Sequence, residues 1–233
     1  MKQNILFGAM ALLAGSLLAA DSSPQDAVKD AAKSLGAKDN YSWKTSIDFG
    51  GDMVGTIDGK TEKGGATFLA MSRGDQGMDA VLKGGKGVLK LDEGWKAVSE
   101  VAEDSTQQGA PRIVARMLRA FKAPAAEAEE LAGNAKELKS ADGAYSGDLA
   151  TEAVKEMLRF GRRGGGTAPE VSGAKGSVKF WLKDGSLAKY EYNVQGTVSV
   201  NGNDRDVNRK NTVEIKDVGA TKVTVPEEAA KKL

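Results

Sequence analysis

The sequence predicts an α+β fold in which helices pack on the concave face of a curved antiparallel sheet, an incomplete β-barrel. Three observations predict it. Short segments of period two, separated by turns rich in Gly and Asp, fill residues 41–98. Helical patterns interrupt them over residues 99–172, and longer period-two segments then continue to residue 226. Strands, then helices, then strands again indicate a sheet with helices gathered on one face.

Composition limits the classes of function. The chain has 233 residues, of which 40% are hydrophobic and 28% charged, with no Cys and no His. The charge excludes a polytopic membrane protein, and the apolar content excludes wholesale disorder. Without Cys there is no disulfide, thiolate metal site or thiol nucleophile. Without His the commonest metal ligand and the base of a Ser-His-Asp triad are absent. We therefore expect no catalytic residues, no metal site and no cofactor.

The first twenty residues have the pattern of a secretory signal. Lys2 is their only charge, and an apolar run from Ile5 to Ala20 ends in small residues. This pattern predicts a signal peptide over 1–20, a periplasmic or extracellular protein, and no stable membrane span after cleavage. A retained anchor is the alternative, although the run is short and diluted for a spanning helix. The remainder, 21–233, is predicted to be a single domain.

Charge balance argues against a nucleic-acid partner. Without Lys2, the basic and acidic residues of the chain are equal in number. A neutral chain has no net field to steer it toward nucleic acid or an anionic membrane. We therefore expect no nucleic-acid partner.

The mature chain begins with a helix and a meander. Ser23 is the expected N-cap, Pro24 the first helical residue and Gly36 the stop. From Tyr41 to Val98, alternating segments separated by Gly and Asp clusters predict about six antiparallel strands joined by hairpins.

A helical insertion is expected over about 111–161. Pro111–Lys122 places its apolar residues on one face, Pro124 opens a second helix, and Thr151–Phe160 forms a third. Asp142-Gly143 predicts a short hairpin between the last two helices. The closing region, with turns at 184–185 and 201–202, is expected to hold four long strands, the last ending at residue 226.

Glycine and arginine follow the third helix in the segment 161–166, GRRGGG. A phosphate-binding loop would precede a helix and carry a Lys, so the segment favours a mobile loop and a candidate hinge over 161–173. Arg162 and Arg163 are the candidate contacts for a lipid headgroup.

Other polar patterns are weak signals of chemistry. Asp204, Asp206 and Asn208 have the start of a Ca²⁺ loop, but Arg209 and Ile215 replace the required Gly and Glu. Turn residues explain this run better.

Carboxylate pairs occur on two helices, Glu127 with Glu130 and Glu152 with Glu156. Both pairs are interpreted as solvated faces. A Ser-Lys pair is conceivable, but no residue is singled out for it.

The apolar residues of the insertion and the meander suggest a cavity between sheet and helical lid. Methionine adapts to irregular shapes and to varied ligands, although ordinary core packing is the more general interpretation of any one residue. The candidate lining residues are Met53, Phe68, Met71, Met78, Met117, Leu118, Phe121, Met157 and Phe160.

The C-terminal third resembles the ending of the lipoprotein-carrier (LolA/LppX-like) superfamily, and also a narrower family of exported bacterial proteins. The matching positions are the aromatic-led strand, its Asp-Gly turn, a later Asp-x-Gly and a closing proline: Phe180, Trp181, Asp184, Gly185, Asp217, Gly219 and Pro226. The resemblance implies an incomplete barrel that wraps acyl chains under helices. It transfers no binding motif residue by residue, because these are hairpin positions.

Three hypotheses of function follow. The first is an exported, non-enzymatic protein that holds a hydrophobic small molecule or acyl chain, with envelope lipoproteins as further partners. The second is an interaction or sensor module with a filled core, which binds envelope proteins through an edge strand or groove. A hydrolase with Ser-Lys or paired carboxylates is the third, and the absence of the usual base disfavours it.

Overall fold

The computed structural model describes residues 23–50, 54–104, 106, 109–159, 169–200 and 202–233. The expected signal peptide and most of the Gly-rich segment lie outside these residues. The division into a signal peptide and one domain therefore stays a prediction.

The strands form one antiparallel sheet that is not closed into a barrel. In chain order they are β1 (Asn40–Asp48), β2 (Val54–Glu62), β3 (Thr67–Arg73), β4 (Gln76–Lys83), β5 (Lys86–Leu91), β6 (Gly94–Ala97), β7 (Lys139–Ala141), β8 (Ala144–Asp148), β9 (Glu170–Lys183), β10 (Ser186–Val200) and β11 (Asn203–Lys216). The spatial order is β6-β5-β4-β3-β2-β1-β11-β10-β9-β8-β7. This arrangement, with most of the helices on one face, confirms the predicted α+β class.

The helices begin and end close to the positions expected. They are α1 (Pro24–Gly36), α2 (Val98–Glu103), α3 (Ala110–Arg119), α4 (Pro124–Asn134), α5 (Thr151–Arg159) and α6 (Glu227–Ala230). Ser23 caps α1 by accepting from the backbone N–H of Asp26 at 3.2 Å. Helix α2 was not expected. Its first residue, Val98, also fits the end of the alternating region 41–98, so the start of the helix is not visible in the pattern.

The meander contains the six expected strands, β1 to β6, and the predicted hairpin at Asp142-Gly143 joins β7 to β8. Asp142 has a φ of 51° and Gly143 a φ of 72°, which is the left-handed conformation that a tight hairpin turn requires.

The prediction of four long closing strands was wrong, since three are present. Residues 220–226 form no strand, because β11 is already paired on one side with β1 and on the other with β10. Side chains bind the backbone of this segment instead. The N–H of Thr221 donates to Asn40 Oδ1 at 2.7 Å, and the N–H of Val223 donates to Glu62 Oε1 at 2.8 Å.

The main core lies between the sheet and the helices, on what we call the inner face. Helices α1, α4 and α5 supply apolar residues to it, as do α2 and α3. A smaller cluster lies on the opposite, outer face, where the C-terminal tail with α6 packs over the meander. It contains Ala66, Val81, Val88, Trp95 and Ala229.

Candidate ligand-binding groove

One row of side chains crosses the inner face over eight strands. Cα pairing connects Met78, Met71, Ile57, Thr45, Val213, Tyr190, Phe180 and Tyr145 in turn. Alternation along each strand places these residues on the same face. Burial divides the row: Val213, Tyr190 and Phe180 are at most 2% exposed, whereas Ile57, Met71 and Met78 are half-buried.

The uneven burial follows from where the helices pack. Helices α2 and α3 lie against β5, while α1 and α5 lie against β9 and β10, and α4 packs on α1. The inner face of β2–β4 lies between these two groups of helices. We call this strip, with Ile57, Met71 and Met78 as its floor, the groove.

Aromatic rings form the wall of the groove on the side of β1. The indole of Trp43 lies across Gly59, its Cα partner on β2. The ring of Phe121 stacks on Trp43 with centroids 6.3 Å apart and planes inclined by 20°. Phe121 lies just before α4, so its contact with Trp43 holds the start of that helix against β1.

Two of the expected lining residues, Met71 and Met78, form the groove floor as a cross-strand pair. Leu118 is buried in the core and Phe121 packs against it. Met157, on α5, packs against the core on the side of β9 and β10.

The remaining expected residues lie elsewhere. Met117 is half-buried on α3. Phe68 packs in the outer-face cluster with Ala66 and Trp95, so the structure does not bring it to the groove. The other four, Met53, Phe160, Arg162 and Arg163, lie outside the described residues.

A polar cluster joins α4 to the sheet beside the groove. The carboxylate of Glu127 accepts hydrogen bonds from the hydroxyls of Tyr190 and Tyr192, the latter at 3.0 Å. Asn211 Nδ2 donates to the Tyr192 hydroxyl. The interpretation of Glu127 as part of a solvated face was therefore wrong.

The sequence contained a signal for this cluster. Pro124, Ala128 and Leu131 are buried on α4, and Glu127 lies at the third position after Pro124 and four before Leu131. Helical spacing of this kind places a residue on the apolar face. The partners on the sheet are not indicated by any local pattern.

Burial governs the protonation of the cluster. It raises the pKa of Glu127, against the opposing influence of the Tyr190 and Tyr192 hydrogen bonds and of Arg209. Burial and the nearby Glu127 carboxylate likewise raise the pKa of Tyr190 and Tyr192. Both tyrosines therefore stay neutral donors at any physiological pH.

Two open hollows lie at the surface of the described part of the chain. One, of about 660 Å³, is bounded by β6, α2 and the C-terminal tail, with Trp95 and Val101 among charged residues. The other, of about 580 Å³, includes Met71 and Met78 of the groove floor, but most of its lining, such as Asp58, Asp79 and Lys90, comes from outer-face positions. Charged side chains make both hollows unsuited to a bare hydrocarbon chain.

Within the described ranges, acidic side chains form no group of three or more that could hold a metal ion. Over the same residues, none of the helices has both the length and the apolarity needed to span a membrane.

Comparison with known proteins gives likeness of fold only. No protein-family model matches the chain, and no curated protein matches it. Among solved structures it is similar to the lipoprotein LppX of Mycobacterium tuberculosis, with 11% identity over 87% of this chain and 98% of that one, at a TM-score of 0.45.

It is also similar to LprF of Mycobacterium bovis, with 11% identity over 89% of this chain and 100% of that one, at a TM-score of 0.44. A LolA superfamily protein of Nitrosomonas europaea has 8% identity over 87% of this chain and 96% of that one, at a TM-score of 0.35.

Proposed function

We propose that this chain is an exported, non-enzymatic binding protein that holds a hydrophobic ligand, a lipid or the acyl chain of a lipoprotein, in the groove over β2–β4. The observation that carries the proposal is the half-buried floor of Ile57, Met71 and Met78 between two groups of helices. The neighbouring row on the same strands, with Leu69 and Ala80, is completely buried. The helical cover therefore stops at the row of Ile57, Met71 and Met78, since Arg73 and Gln76 in the next row are exposed.

A hydrocarbon chain in the groove would complete this cover. Removing apolar surface from water is worth about 25 cal/mol per Å² on each side of the contact. The two methionines add adaptability, because their unbranched side chains accommodate ligands of varied shape. Phe121 and Trp43 give the chain a flat apolar wall to lie against. The ligand would lie beside the helices rather than in an enclosed chamber.

A second candidate function is an interaction module for envelope proteins, and one observation favours it. Beneath α1 and α4 the core is filled by the chain's own residues, since Leu35, Phe180 and Tyr190 are at most 1% exposed. This half of the sheet has no need of a ligand. The groove would then receive an apolar side chain of a partner protein.

Lipid analysis separates the two candidates. Protein purified from its own cell envelope is examined by native mass spectrometry and solvent extraction, and the purified chain is titrated with a fluorescent fatty acid. We expect a co-purifying lipid and saturable binding of the probe. Protein that carries no lipid and binds no probe would exclude the carrier function and leave the interaction module.

Two neighbouring positions provide a matched test of the groove. Met71 points into it, while Ser72 is the next residue of β3, exposed on the outer face. Met71→Lys places a charge on the floor, so we expect loss of probe binding, and Ser72→Lys should bind as the parent does. If Met71→Lys fails to fold, Met71→Ala serves instead and should weaken binding by several-fold.

A further inference from the structure

Arg209 lies on the inner face, two rows of the sheet beyond the row of the groove floor, and is only half-buried, yet its Nε atom is inaccessible to solvent. That atom has no hydrogen-bond partner among the described residues. A buried donor on a charged group is costly unless something accepts from it. Asn211 lies two residues further along β11, and its buried Oδ1 atom likewise has no hydrogen-bond partner among the described residues.

Strand pairing connects Arg209 to the groove. Asn211 pairs with Ile47 on β1, Ile47 with Gly55 on β2, and Gly55 with Arg73 on β3. This row lies one step along the strands from Ile57 and Met71, toward the hairpin ends. Arg209 lies one further step in the same direction. The groove floor and Arg209 therefore share one face and one end of the sheet.

Spacing is suitable for one extended amphiphile. Arg209 is four residues from Val213, and three strand-to-strand steps separate β11 from β3. With about 3.4 Å per residue along a strand and about 4.8 Å between strands, Arg209 lies on the order of 20 Å from Met71. This is comparable to the length of an extended long-chain fatty acid.

Positive charge at this end of the sheet comes from Arg209 and from Arg73, whose guanidinium lies 5.0 Å from the centre of the exposed Phe49 ring. The acidic groups near Arg209 have other partners. Glu127 faces it from α4 and interacts with its charge, while the Tyr190 and Tyr192 hydroxyls donate to that carboxylate. Glu191 pairs with Lys210, the next residue, at 3.2 Å, and Asp48 binds the N–H of Gly50 at 2.8 Å.

We propose that the ligand of the groove is an anionic amphiphile, and that Arg209 binds its carboxylate or phosphate while the hydrocarbon chain lies on Met71 and Met78. This inference rests on the proposed function, because it assigns the polar end of the same ligand. It places the headgroup at Arg209, within the described fold, whereas the sequence pattern had pointed to Arg162 and Arg163.

The test compares ligands that share one chain length and differ in their polar end. A fatty acid, an alkyl phosphate, the fatty alcohol and the alkyltrimethylammonium ion are each used to displace a fluorescent fatty acid. We expect the two anions to bind at least about tenfold more tightly than the alcohol, as a charge-assisted hydrogen bond predicts. The cation should bind most weakly. Inorganic phosphate alone should not displace the probe, which distinguishes a lipid headgroup from a free-phosphate site.

Variants of Arg209 identify the residue responsible. Arg209→Gln should remove about tenfold of the affinity for the anions and leave the affinity for the alcohol unchanged. Arg209→Lys should keep most of the preference, and Arg205→Gln, exposed at the end of β11, should keep all of it. Thermal melts verify that each variant is folded.

Two results would overturn the inference, and they differ in what else they exclude. Equal affinity for all four amphiphiles, or an anion preference that survives Arg209→Gln, shows that Arg209 does not bind the headgroup, while hydrophobic binding stands. If no amphiphile displaces the probe, or the probe itself does not bind, the proposed function fails as well.

Discussion

The six-membered part of the Trp43 indole lies directly over the α-carbon of Gly59, so closely that a Cβ at that position would be 2.1 Å from Trp43 Cζ2. The two residues are Cα partners on β1 and β2. The absent side chain of Gly59 thus makes the space in which Trp43 lies flat and receives Phe121. The wall of the groove depends on this contact.

Gly59→Ala is therefore expected to destabilise the protein by about 1–3 kcal/mol, the range for overpacking a core. Urea unfolding monitored by fluorescence measures it. Gly77→Ala is the matched control, because Gly77 also lies in a strand and its nearest neighbour would be 3.8 Å from an added Cβ. We expect the control to be neutral or slightly stabilising. Equal midpoints for the two variants would contradict the packing argument.

The two tyrosine hydroxyls predict a second measurable cost. Tyr190 is completely buried and donates to Glu127, so Tyr190→Phe leaves that carboxylate with one donor fewer. The expected loss of stability is about 1–3 kcal/mol. Tyr145→Phe, a half-buried tyrosine in the same row of the sheet, is the control and should unfold at nearly the parent's urea concentration. If Tyr190→Phe unfolds at the parent's urea concentration, the hydrogen bond between Tyr190 and Glu127 contributes nothing to stability.

The pH dependence of stability tests the raised pKa of Glu127. When the pKa of an acid is higher in the folded state, the unfolded chain loses its proton first as the pH rises. This group therefore lowers stability progressively from the ordinary glutamate pKa of 4.5 up to the raised folded value. Glu127→Gln removes the titration, so its stability relative to the parent should improve as the pH rises above that ordinary value.

The variant and the parent share all their other carboxylates, so the contributions of these groups to the pH dependence cancel in the difference between the two stabilities. Glu129→Gln, on the same helix, is the control: its ion pair with Lys33 is 3.8 Å long and exposed, and such pairs contribute little. A relative stability of Glu127→Gln that stays flat, or falls, as the pH rises would contradict a raised pKa.

Much of this fold was accessible from the sequence because its signals are local. Alternation and Gly or Asp turns predict the meander, and Ser23 with Pro24 predicts the start of α1. Sequence alone did not predict that residues 220–226 lack a strand, because this depends on β11 being paired on both sides. Phe68 shows the same limit at the site. It is three residues from Met71 on one strand, so alternation places the two side chains on opposite faces of the sheet. No local pattern indicates that the C-terminal tail covers the face on which Phe68 lies.

The packing of the C-terminal tail on the outer face is predicted to stabilise the protein, and substitutions at two adjacent alanines test this. Ala229 is completely buried against the outer-face cluster, whereas Ala230 on the same helix is exposed. Ala229→Glu would bury a carboxylate beside apolar residues or detach the tail from Val81 and Val88. We expect it to cost at least about 2 kcal/mol and to shift the fluorescence of Trp95 to longer wavelength as water reaches the indole. Ala230→Glu should change neither quantity. If both variants unfold at the same urea concentration as the parent, the tail contributes no stability and the outer-face cluster holds without it.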